Sequence, residues 1–186
     1  MITFTYKNKS FALISDTHGW HKKILVPKCD FLIHCGDFCV NGNENQINDF
    51  LNWFSKAPAK HKILVTGNHD FPFVFEPDEA KKLVPKNIIL ANNKIISLEG
   101  ICFYGLVSDY NLTKIPELSN KPIDFLLSHV SPKAVLDEGI GCPILLEFVK
   151  LQKPKHHLFG HIHSFGLQMV TLDETVFINC CTFPEI

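Results

Sequence analysis

Along this chain the hydrophobic residues fall in short runs closed by polar or glycine positions. Such runs occupy residues 11–15, 31–34, 62–66, 88–90, 101–104, 125–128 and 157–160. Runs of this length, rich in Phe, Leu, Ile and Val, fit strands buried on both faces beneath helices. Between the early runs the period becomes helical. Within residues 45–57, Ile47, Phe50, Leu51 and Phe54 recur at three- and four-residue spacing, and Pro58 closes the segment. Residues 76–84 predict a second helix, with Pro77 in its first turn and Pro85 beyond its end. Residues 143–151 predict a third, with Pro143 at the first helical position.

The last third differs. Residues 168–171 and 175–179 flank Leu172, Asp173 and Glu174, a hairpin pattern. Residues 95–98 and 101–104, joined at Glu99 and Gly100, form another. Strand–helix–strand units in front and hairpins behind predict an α/β fold of two mixed sheets packed together, with helices outside. There is no repeat, low-complexity tract or linker, so residues 1–186 read as one domain.

Composition narrows the class. A hydrophobic content of 46% over 186 residues is enough for a real core. The net charge of -1 argues against nucleic acid or an anionic membrane as a partner. The 7 cysteines contain no Cys-x-x-Cys pair and read as small buried hydrophobes, not zinc ligands. Residues 1–9 are alternating and polar, without the apolar centre of a signal peptide. No apolar run approaches the roughly 20 residues that span a bilayer. The expectation is a soluble, cytoplasmic protein; the pattern leaves the oligomeric state open.

Five hydrophobic runs end in metal-ligand side chains: Asp16 and His18; Asp37 after Gly36; Asn68, His69 and Asp70 after Gly67; His129 after Ser128; and His161 and His163 after Gly160. In α/β sheets, ligands collect at the carboxyl ends of strands, so one sheet edge can gather all five. Asp37 can bridge two ions through its two oxygens, and Asn68 offers an amide oxygen. The histidines offer ring nitrogens. This oxygen and imidazole mixture suits two divalent ions, Mn first, with Fe, Zn or Ni as alternatives. Two ions about 3.5–4 Å apart neutralise phosphate oxygens and turn a water into hydroxide near neutral pH. Protonating the leaving alkoxide falls to His69, with Asp70 orienting its ring and raising its pKa.

Taken singly, each segment has a bland reading. An Asp-x-His is commonly a loop, a Gly-Asp a turn, and residues 67–70 a helix cap. Residues 160–163 alone read as an edge strand. Jointly and in order they predict a phosphoesterase. Elsewhere His61, His156 and His157 read as surface or capping groups, and His34 as core or support for the site. His21 reads as solvent-exposed, with a substrate phosphate as its functional alternative. Trp53 reads as packing at the margin of its helix, Trp20 as a candidate pocket wall, and Cys35 as packing beneath the site. Phe71 and Phe73 read as pocket wall or core.

The ordered set resembles the calcineurin-like metallophosphoesterase superfamily, whose pattern is Asp-x-His, Gly-Asp, Gly-Asn-His-[Asp/Glu], a single His, then Gly-His-x-His. Residues 32–38, 50–54, 141–146, 155–159 and 177–182 are also similar to its small metallophosphoesterase-domain (MPPED-like) branch. That resemblance implies a four-layer α/β/β/α sandwich and metal-dependent hydrolysis of phosphodiesters such as nucleotide diesters. It also implies that Asp16, His18, Asp37 and His163 hold one metal, that Asp37, Asn68, His129 and His161 hold the other, and that His69 is the general acid. Two departures bear on substrate recognition: residues 106–122 are short and lack tryptophan, and Val130 replaces a glycine. A metal-binding scaffold of the same fold is one rival, but a scaffold has no physical need for so much buried charge. A nuclease is another, but its usual capping domain and basic surface are missing. A small-molecule phosphate ester is the expected substrate.

Overall fold

The computed structural model describes residues 1–107 and 122–183. Most of the shortened stretch after Gly105 therefore lies outside the described residues. The first sheet contains β1 (Ile2–Tyr6), β2 (Lys9–Ile14), β3 (Cys29–Cys35), β4 (Ala59–Val65) and β5 (Ile89–Leu90), side by side in that order. Strand β1 is antiparallel to β2, and β2 to β5 are parallel. The second sheet is built from β6 (Lys94–Leu98), β7 (Ile101–Gly105), β8 (Phe125–Leu127), β9 (His156–Phe159), β10 (Met169–Leu172) and β11 (Thr175–Asn179). Its order is β10-β11-β9-β8-β7-β6, with antiparallel hairpins at both edges and parallel strands between.

Strand alternation sets the layers. In β2, Phe11 and Leu13 face the second sheet, while Ala12 and Ile14 face helix α1 (Glu44–Lys56). Between the sheets, Phe11 stacks on Phe31 and Phe125 with ring centroids 4.8 and 4.9 Å apart. On the outer face of the first sheet, α1 buries Ile47, Phe50, Leu51 and Phe54, the residues its spacing singled out. Its start is capped by Asn43, whose side chain accepts the Asn45 N–H at 2.9 Å. On the second sheet, Leu145, Phe148 and Val149 of the Pro143–Gln152 helix pack against Leu126, Phe159 and Phe177. The result is the expected helix, sheet, sheet, helix sandwich. Among the described residues no helix is long and apolar enough to cross a membrane.

The alternation at residues 1–9 belongs to β1, an edge strand whose alternate residues are exposed. Several local expectations are corrected. The helix expected at 76–84 is broken: α2 (Phe71–Phe75) precedes it, α3 spans only Pro77–Ala80, and a 3-10 turn at Lys81–Leu83 follows. Glu76 separates the two helices with φ -133° and ψ 55°, outside the helical region that a following proline disfavours. The Pro143–Gln152 helix is α4.

Histidines 156 and 157 are not surface groups. They lie within the interior strand β9, so His156 stacks on Phe125 at 4.6 Å and His157 is fully buried on the opposite face. Ser128 Oγ donates to the Val130 carbonyl, which leaves His157 Nε2–H to donate to Ser128 Oγ at 2.8 Å. His21 is also buried, against Phe50 and Trp53 of α1, because a 3-10 turn folds it inward. His61 is half-buried, stacked on Phe31 and bonded to Glu99. Val130 is buried in the α4 core, away from solvent.

Candidate metal centre

All five ligand segments directly follow the carboxyl ends of parallel strands: β2, β3 and β4 in the first sheet, β8 and β9 in the second. Ser15 pairs with Cys181 and joins the two sheets at this edge. The backbone then turns sharply. Asp16, His18, Asp37 and His161 all have positive φ, at 53°, 40°, 56° and 69°. Such left-handed non-glycine residues cost of order 1–3 kcal/mol each and persist where surrounding structure enforces them. Here Asp16 N–H donates to Gly36 O, and His18 N–H to Asp37 O, at 2.9 and 3.1 Å. Two motif glycines are required by close approach. A Cβ on Gly67 would run into the Asp37 carboxylate, and one on Gly160 into the Asp16 carboxylate and Ser15 hydroxyl.

The ligand atoms form two groups, Asp16 with His18 and His163, and Asp37 with His129 and His161, the atoms of each lying within 4.8 Å of one another. Asp37 Oδ2 lies between the groups, 3.1 Å from His129 Nε2 and 4.0 Å from His18 Nε2. Backbone carbonyls set the imidazoles. His129 Nδ1–H donates to Cys35 O at 2.8 Å and His18 Nδ1–H to Cys39 O at 2.9 Å, so both Nε2 atoms turn inward. Asn68 Oδ1 is buried without a hydrogen-bond partner, and His129 Nε2 faces only the Asp37 and Asp16 carboxylates. Buried polar atoms are normally satisfied, so the orphaned Asn68 oxygen fits a cation ligand.

The electrostatics agree. Asp16 and Asp37 are almost completely buried, and among the described residues the side chains that pair with them are imidazoles. Burial opposes protonation of His129, but the Asp37 and Asp16 carboxylates outweigh it and raise its pKa to about 9. Burial would raise the Asp37 carboxyl, yet His129 and the His69 N–H hold it below its usual range. Burial lowers His161 to about 4, so its ring is neutral, whereas the charge on His129 answers the two carboxylates that a cation would otherwise neutralise. Two buried carboxylates, an orphaned amide oxygen and inward-facing imidazoles suit divalent cations of borderline hardness.

His69 stands at the edge of both groups. Its Nδ1–H donates to Val40 O at 2.6 Å and its ring lies edge-on to His18 at 5.1 Å. Asp70 does not orient this ring, contrary to expectation. Its carboxylate turns back into the loops and accepts the N–H groups of Asp37, Gly67 and Cys39 at 3.0, 2.8 and 3.0 Å. Burial and the Asp37 charge push the Asp70 carboxyl upward. Asp70 thus fastens two ligand loops, and the Val40 carbonyl does the orienting. No side-chain pattern signals a carbonyl, so Cys35, Cys39 and Val40 were invisible as site residues.

His18, Asp37, His69, His161 and His163 line a cavity of about 360 Å³ together with Trp20, Val40 and Phe183. Trp20 thus takes the less favoured of its two readings and lines the cavity, and Phe183 is an unforeseen neighbour. Phe71 is exposed beside His69, ring centroids 6.1 Å apart, without lining the cavity, whereas Phe73 belongs to the core. Cys35 is buried in the core between the sheets, as expected. His34 is buried behind the site; it accepts the Gly36 N–H, so its Nε2–H donates to Thr17 Oγ1. A larger cavity of about 500 Å³ between α4 and the β10–β11 hairpin contains none of the ligand residues.

Comparison with known proteins gives a consistent result. The family model described as calcineurin-like phosphoesterase matches residues 9–165. Metallophosphoesterase domain-containing protein 1 of Homo sapiens is 29% identical over 222 residues, covering 92% of this chain and 66% of that protein. UPF0046 protein C25E10.12 of Caenorhabditis elegans is 31% identical, covering 94% of this chain and 75% of that protein. The chain thus spans about two thirds to three quarters of the length of these relatives. In fold, it is similar to the crystal structure of phosphopantetheinyl hydrolase from Mycobacterium tuberculosis, with a TM-score of 0.68 at 12% identity, covering 92% of this chain and 88% of that one.

Proposed function

Because the chain belongs to the calcineurin-like phosphoesterase family, we propose that it is a two-metal phosphodiesterase acting on small esters such as nucleotide diesters. The observation that carries this reading is Asp37, buried between two ligand groups beside the orphaned Asn68 oxygen. Asp16, His18, Asp37 and His163 would hold one ion, and Asp37, Asn68, His129 and His161 the other, with Mn the first choice. Bound there, the ions would neutralise phosphate oxygens and lower the pKa of a water.

The protein's own groups supply the rest. The chain contains no arginine, so no bidentate guanidinium is available to bind the phosphate. Among the described residues no lysine lines the cavity, so neutralising the ester would rest on the cations that the ligand cluster would hold. With its Nδ1–H held by Val40 O, His69 presents Nε2 to the cavity and delivers a proton to the departing oxygen. Asp70 keeps the Asp37 and Gly67 loops in register, which fixes the bridging carboxylate.

The decisive experiment counts metals by plasma mass spectrometry and assays bis(4-nitrophenyl) phosphate with and without added Mn. Two metals per chain and chelator-sensitive hydrolysis are expected. Metal without hydrolysis of any ester would turn the reading toward a scaffold, and absence of both would end it.

A further inference from the structure

The cavity beside the ligands is walled by rings. We propose that Trp20 and Phe183 form a subsite for a flat aromatic substituent of the phosphate ester, so that ring-bearing esters are preferred over alkyl or sugar esters. This inference rests on the phosphoesterase reading and adds a substrate preference to it.

Both rings are held in place by their own segments. Trp20 follows His18 by two residues; its N–H donates to Thr17 O at 2.6 Å, and its carbonyl accepts the Lys23 N–H at 2.9 Å. The Lys23 ammonium lies 3.6 Å from the centre of the indole, covering one face. Trp20 is nevertheless 40% exposed, and Val40, on the same cavity, is 47% exposed. Large apolar groups left open beside buried ligands are the usual signature of a ligand wall. Phe183 is fixed from the other end of the chain. Thr182 donates both its N–H and its hydroxyl to Ser15 O at 2.9 Å, immediately before Asp16. The Phe183 ring then meets His18 edge-on at 5.1 Å and His163 at 5.0 Å.

Apart from the ligand cluster and His69, the described residues that line the cavity are Trp20, Val40 and Phe183. A ring placed against that wall finds apolar surface and stacking. At about 360 Å³ the space suits a phosphate with one ring system. An aryl group and a nucleobase share this chemistry.

Calorimetric titration of the metal-loaded protein with matched phosphonates tests the subsite without turnover. Phenylphosphonate is compared with methylphosphonate, and the 5′-phosphonate of adenosine with that of ribose. The ring-bearing member of a pair is expected to bind about tenfold tighter, the range of one stacking contact. Preference in the first pair only identifies an aryl group, in the second only a nucleobase, and in both a general ring subsite. Trp20→Ala should bring the ratio toward one, Trp20→Phe should keep most of it, and Phe183→Ala should lower it in part. Equal affinities within both pairs, or a ratio untouched by Trp20→Ala, overturn the subsite and leave the phosphoesterase reading standing. Failure of every phosphonate to bind overturns both.

Discussion

The two ends of the same strands hold charge in opposite ways. At the amino ends, Glu99 in the β6–β7 turn meets Lys9 at the start of β2 and Lys60 and His61 in β4. Asp124, just before β8, accepts the Tyr6 hydroxyl at 2.6 Å, the Cys102 N–H at 2.8 Å and pairs with Lys7 at 2.8 Å. Lys60, Lys9 and His61 hold the Glu99 carboxyl well below its usual range. At the carboxyl ends, Asp16 after β2 and Asp37 after β3 meet imidazoles and the backbone N–H groups of His161 and His69, and Asn68 Oδ1 has no hydrogen-bond partner. One end satisfies its charges internally. The other is complete only with cations from outside, and that incompleteness distinguishes a site from a surface.

The sharpest way to break this contrast is Asp37→Ala. It removes the carboxylate between the two ligand groups, and diester hydrolysis should fall by at least about a thousandfold. Divalent metal should raise the melting temperature of the wild type, because it binds the folded state, and this rise should vanish in the variant. A variant that still gains stability from metal would refute the bridging role. His69→Ala should be milder: both metals stay bound by mass count, while kcat falls about 10²–10⁴-fold, most for poor leaving groups.

A third test uses His157, buried between the two ends. Burial lowers its pKa to about 3 from an unfolded value near 6.5. Between those values the unfolded chain binds the extra proton, so this residue's contribution falls as pH drops from 6.5 toward 3. The slope is at most about 1.4 kcal/mol per pH unit. Denaturant melts of His157→Gln across pH 4.5–7 should show a shallower loss than wild type. The smallest effect is expected at the self-satisfied end. Glu99→Gln should leave bound metal unchanged and activity within about twofold, because solvent-screened pairs contribute little.

The helix α1 was readable because four apolar residues at helical spacing meet a single flat sheet face. The helix at Phe71–Phe75 and the change to a 3-10 turn at Lys81 were not, because the 76–84 pattern runs past Lys81 without a mark and its prolines fix only the ends. His157 misled for a related reason: a polar residue in a short strand reads as surface until the neighbouring strands are known. Asp70 sat at the position expected of an orienting acid, yet nearby amides attracted its carboxylate more closely than the His69 ring did.

By itself, the sequence determined which side chains can ligate a metal and that each lies just past a hydrophobic run. Those are properties of residue type and local order. Which nitrogen of His18, His69 and His129 faces inward was decided only by the tertiary structure, since backbone carbonyls up to 94 residues away fix it. So was the meeting of Trp20 with Phe183 in one cavity, because it depends on Thr182 bonding to Ser15, 167 residues away. Contacts of that separation follow from how two sheets pack, and no local pattern encodes them.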